Sequence, residues 1–215
     1  MNDTAKFLGA RTEVGHLVER RLANLTQSLG ANGTRATLAH LRRAVGRPPG
    51  TVPEVWGVTI DGLASDRAGD QPTREEHAVH AAMTLFAVHQ QSKSQPMHVR
   101  GVGLGRAIRR LETASPGFGS GDITPARRRL DALATAESLT EVLHHLRGVV
   151  DLLRSKDVPL DYVALAEDLL QLQRPGGAAA VRLRWARQYY SAGSDDTTPD
   201  DDTPITDAVK TEEER

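Results

Sequence analysis

The chain has 215 residues, enough to bury a sizeable core, with 39% apolar residues, 4% aromatics and no cysteine. Without cysteine there are no disulfides, thiolate metal sites or thiol nucleophiles, and Leu, Val and Ala must build the core, which suits helices. The net charge of −1 conceals segregation: residues 192–215 carry nine acids against two bases, and the preceding 191 residues carry 25 bases against 19 acids. An acidic tail of −7 thus follows a basic body of +6, in which arginine supplies most of the cations. Guanidinium is always charged and grips phosphate in a fork, so polyanions are the expected partners. No apolar run reaches the roughly 18 residues of a membrane span, and the first ten residues lack a signal-peptide core, so a cytoplasmic protein is expected.

In chain order, Val14, Leu17, Val18, Leu22, Leu25 and Leu29 recur at spacings of three and four and predict a helix over 12–29. Glycines at 30 and 33 break it, and a second helix is expected over 34–45 until Gly46, Pro48, Pro49 and Gly50 stop it. Residues 52–60 read as an irregular apolar plug built on Val55, Trp56, Val58 and Ile60. Thr73 with Glu76 three residues on is a capping box opening a helix to about residue 91. A short helix over 104–111 follows a loop, and the glycine-rich 115–121 stretch is the expected boundary between two lobes, 1–119 and 120–191. In the second lobe, Thr124 and Pro125 start a helix to about 134, and Ser138 with Glu141 forms another capping box for a helix to about 154. Asp161 caps the next helix, and the last runs over 178–190. Residues 192–215 are expected to be a disordered acidic tail. The fold class is all-α: a two-lobed helical bundle.

Catalytic and cofactor patterns are thin. Gly101, Gly103 and Gly105 follow no strand and precede no Lys-Ser/Thr, so they do not make a dinucleotide or phosphate loop. Ser120 is off-centre among its glycines for a nucleophile elbow. His77 and His80 lie one turn apart and Glu141 precedes His144 by three, which raises a helical metalloenzyme. A di-iron bundle needs a second Glu-x-x-His, however, and Val79 stands where Glu76 would need its histidine. No enzyme, metal or cofactor is expected.

The arginines remain. Arg42 and Arg43 close a helix, with Arg47 just beyond; Arg74 opens one; Arg106 and Arg110 share a face of a short helix, with Arg109 beside them. Arg127, Arg128 and Arg129 open another helix, where cations oppose the dipole, and a phosphate there would meet guanidinium and free N–H groups together. With few aromatics between them, these residues predict backbone contact rather than base recognition. Trp185, Tyr189 and Tyr190 read as core or subunit interface. The alternative reading is a free-standing helical DNA- or RNA-binding regulator.

Five stretches carry a family resemblance: ATLAHLRRAVGRPPG (36–50), VGLGRAIRRL (102–111), RRRLDAL (127–133), LTEVLHHLRGVVDLLRSKDVPLDYVALAEDLLQLQ (139–173) and VRLRWARQYY (181–190). In order and spacing the chain resembles the CasB family, the small subunit of the type I-E CRISPR Cascade surveillance complex. The resemblance implies a non-catalytic, two-lobed helical protein present in two copies beside the guide-RNA backbone protein and the large subunit. It implies basic residues that contact the R-loop, chiefly the displaced DNA strand. Arg42 and Arg43 match the family's double arginine, Arg74 a basic helix start, Arg106 the arginine of Leu-Gly-Arg-Ala, Arg127 to Arg129 a second basic helix start, and Arg147 an arginine in the helix after it. The acidic tail departs from the family pattern; competition with DNA and simple solubility both fit it.

Overall fold

The computed structural model describes residues 12–63, 69–114 and 124–191. Thr12 accepts the N–H of Gly15 and starts α1 (Glu13–Gln27), which buries Val14, Leu17, Val18, Leu22 and Leu25. α2 (Asn32–Ala44) follows and ends at a turn in which Gly46 takes φ 76°, a left-handed value that favours glycine. A 3-10 turn (Pro53–Val55) and a single helical turn, α3 (Trp56–Thr59), come next. Val55 is buried as the apolar plug requires, but Trp56 is 47% exposed and donates its indole N–H to the carbonyl of Gly50. The side chain therefore braces the turn after α2 from outside, which corrects its assignment to the plug.

α4 (Arg74–His89) is the central helix. Thr73 and Glu76 form the reciprocal capping box, and from Ala78 to His89 every residue is buried. A segment without charge on any face can be covered all round, and α1, α2, α3, α7 and α8 all pack against α4. α5 (Leu104–Thr113) lies on α9 (Gly177–Ser191) at very close range. A Cβ on Gly105 would collide with the backbone of Trp185 and Tyr189, so this glycine is the condition of the contact.

α6 (Pro125–Thr135) packs on α5 and on α7 (Leu139–Ser155). Thr124 caps α6 as expected. Ser138 accepts the N–H of Glu141 to cap α7, but the Glu141 carboxylate reaches back to the N–H of Glu137, not to that of Ser138. The expected capping box is thus only half formed and slips by one residue. Asp161 caps α8 (Tyr162–Leu172) through the N–H groups of Val163 and Ala164.

A polar strap ties the 97–102 loop to the start of α8. His98 and Leu160 pair as an isolated parallel bridge, Asp161 donates its N–H to Val102, and the Asp161 carboxylate accepts from Gly101. α1 packs on α8, and Thr12 donates its N–H to Glu167 across 155 residues. One apolar core runs through all these elements. The expected lobe boundary at 119/120 and the acidic tail lie outside the described residues. Among the described residues the fold is helical, and no helix is long and apolar enough to cross a membrane.

Candidate nucleic-acid interface

Two depressions adjoin along the seam where α2 and α7 both rest on α4. The first, about 490 Å³, is a groove lined by Ala39, Arg42, Arg43, Val88, Gln91, Arg147, Asp151 and Arg154. Four guanidinium groups meet one carboxylate there. Asp151 lies 3.7 Å from Arg154, whose other nitrogen donates to Gln91 at 2.9 Å. Arg43 reaches the ring Nδ1 of His40 at 2.7 Å. The side chains of Arg42 and Arg147 make no hydrogen bond or ion pair among the described residues. Partial burial lowers the pKa of Arg42, which still leaves a permanent cation.

The second depression, about 460 Å³, lies between the 45–49 turn, α4 and the start of α7. Val45, Pro48, Pro49, Leu85, Leu139 and Leu143 line it with apolar groups, and His77, His80, His144, Arg47 and Arg147 with polar ones. Arg147 borders both depressions. His80 is 4% exposed, with Nε2 3.3 Å from the carbonyl of Ala44. Burial lowers its pKa against the opposing pull of the Ala44 and Arg47 carbonyls and holds the ring neutral. A carbonyl only accepts, so the proton sits on Nε2, and Nδ1 is left as an acceptor without a partner among the described residues.

Of the ten arginines singled out from the sequence, Arg42, Arg43, Arg47 and Arg147 converge here. Arg74 is exposed at the first residue of α4 and borders neither depression. Arg106 is half-buried on α5 and engaged in a contact, while Arg110 is exposed on the same helix. Arg128 is exposed on α6. Arg129 lies across Gly148 of α7, where a Cβ would strike its guanidinium.

Arg127 is partly exposed but held in place by its neighbours. It donates to Asp131 at 2.9 Å and to the Tyr190 hydroxyl at 2.6 Å, and its guanidinium stacks 5.4 and 5.6 Å from the Tyr189 and Tyr190 ring centres. The Tyr190 and Asp131 hydrogen bonds raise its pKa further. These partners offset the unfavourable dipole at the start of α6, a compensation invisible in local sequence. Next to it, Glu112 accepts from Thr124, Tyr189 and Arg109. Burial pushes this carboxyl up, but the three hydrogen bonds outweigh it and the pKa falls. On the other side of α9, Asp168, 4% exposed, binds Arg184 and the indole N–H of Trp185. Tyr189 and Trp185 are core as expected, and Tyr190 is 66% exposed.

Sequence reasoning misses Arg154 and the grouping of three histidines beside Arg47 and Arg147. Pairwise spacing tests His77, His80 and His144 only as metal ligands, and their neighbours in the pocket come from the 45–49 turn and α7.

The profile of the family described as CRISPR-associated protein Cse2 matches residues 37–190. The CRISPR-associated protein Cse2 of Thermus thermophilus is 30% identical over 176 residues, 82% of this chain and 91% of that protein. The crystal structure of CasB from Thermobifida fusca superposes with a TM-score of 0.69 at 35% identity, covering 84% of this chain and 99% of that one. CasB from Thermus thermophilus does so with a TM-score of 0.60 at 28% identity, covering 81% and 97%. A match over most of the chain, in profile, sequence and helical fold together, shows that the chain belongs to the Cse2 family of CRISPR-associated proteins, also called CasB.

Proposed function

We propose that the chain is the small, non-catalytic subunit of a type I-E Cascade complex and stabilises its R-loop by holding nucleic-acid backbone. The observation that carries this reading is the convergence of Arg42, Arg43 and Arg147 on one groove whose lining holds a single acid, Asp151. Guide RNA reads the target by base pairing, so the protein's part is to hold displaced strand and heteroduplex by their phosphates. Arginine forks suit that work, and weak contacts suffice when the subunit is already tethered beside the strand. Two copies, the guide-RNA backbone protein and the large subunit are the proposed neighbours, in the cytoplasm. Arg47, Arg74, Arg106, Arg110 and Arg127 to Arg129 extend the proposed contact, with Arg127 acting from a fixed position.

The test replaces Arg42, Arg43 and Arg147 by Glu in the assembled complex and follows R-loop affinity against salt. Each lost phosphate contact lowers the slope of log affinity against log salt by about 0.7–0.9, so the triple variant should flatten it by about two. An unchanged slope with intact assembly sinks the reading.

A further inference from the structure

We propose that the pocket between the 45–49 turn, α4 and α7 receives one unstacked nucleobase of a single strand whose phosphates lie along the Arg42–Arg43–Arg147 groove. The proposal rests on the backbone-holding reading above and adds a base contact to it.

Three features select this occupant. The first is charge. Arg47 and Arg147 are the charged groups of the pocket lining, and Arg147 is also a wall of the arginine groove. A ligand that enters from the groove is anionic along its length and brings no net charge of its own into the pocket, which describes a nucleotide strand. The second is shape and surface. About 460 Å³ with an apolar wall of Pro48, Pro49, Leu139 and Leu143 lies in the usual size range of small-molecule sites and is roomy for one base. Histidine rings serve as stacking surfaces for unstacked bases, and the exposed His144 and half-buried His77 stand in the lining. The third is hydrogen bonding. His80 is buried, keeps its Nε2 on the Ala44 carbonyl and leaves Nδ1 as an unanswered acceptor. That nitrogen has less than 1 Å² of exposed surface, so an occupant meets it only as the ring turns towards the cavity, and every nucleobase offers imino or amino N–H groups on its pairing edge to do so. An aliphatic side chain from a protein partner would fill the apolar wall but would answer neither the acceptor nor the arginines.

The experiment compares binding of the full chain, at low ionic strength, to a thymidine oligonucleotide and to an abasic strand of equal length, followed by fluorescence anisotropy. The base-bearing strand should bind about fivefold tighter or more, the scale of one base stacked on a ring. His144→Ala removes a stacking ring, and Thr140→Trp fills the pocket from its rim. Each should abolish that preference while the abasic strand keeps its affinity. Arg147→Glu should weaken both strands. Equal affinity for the two strands, or a preference that survives both pocket variants, overturns the pocket proposal, as does failure of either strand to bind. Equal affinity, or a preference that survives the pocket variants, leaves the groove reading standing, because that reading is tested separately by the salt slope of the R-loop.

Discussion

On the α5–α6–α9 side of the molecule, Arg109 meets Glu112, Arg127 meets Asp131 and Tyr190, and Arg184 meets Asp168. On the α2–α7 side, Arg42 and Arg147 meet no acid among the described residues, and Arg43 meets only a histidine. The two regions use one residue type differently because of where the acids stand, not where the arginines do. A guanidinium answered within the fold is tied to its neighbours; one left at the rim of a groove stays available to a phosphate.

Asp168→Ala should have the largest effect on the first region. It strands the Trp185 indole N–H in the core and unties α8 from α9, costing about 3 kcal/mol in urea unfolding. A loss below about 1 kcal/mol would mean that α9 is held by apolar contact alone.

Acidification should separate the regions further. His89 is buried where α4 meets α8, shares a 2.9 Å hydrogen bond with Tyr162, and is held at a pKa of about 4, chiefly by burial. The folded ring stays neutral where an unfolded one, near 6.5, takes a proton, so stability is full above pH 6.5 and is lost as pH falls towards 4. Between pH 7 and 5 that amounts to about 2 kcal/mol. His80, shifted in the same direction, adds to the loss. His89→Gln should flatten the dependence measured by thermal unfolding.

Arg127→Ala should cost about 1 kcal/mol, from an ion pair and ring stacking at a partly exposed site. Arg147→Gln should change stability by less than about 0.5 kcal/mol, since nothing in the described fold answers it. If Arg147→Gln proves as destabilising as Arg127→Ala, the distinction between the two regions fails.

What is legible in the sequence is local. Thr73, Thr124 and Asp161 cap the helices they are expected to cap, because a cap is decided within four residues. Trp56 misleads, since an indole on an apolar stretch can lie outside and hydrogen-bond a turn. The site is legible only in part. Arg42 and Arg147 come together because α2 and α7 both pack on α4, and no spacing rule reports that. The oddity of cations at the start of α6 is visible, but its answer, Tyr190, stands 63 residues away.

The span between Thr12 and Glu167 has a consequence for how the chain is made. At a synthesis rate of about 5–20 residues per second, α1 is made roughly 7–30 s before α8 exists to cover it. Through that interval Val14, Val18 and Leu22, all buried in the finished fold, have no α8 to pack against. The nascent amino-terminal half is thus a natural client for holding chaperones. Chains cut short before residue 162 should be cleared by proteases rather than accumulate.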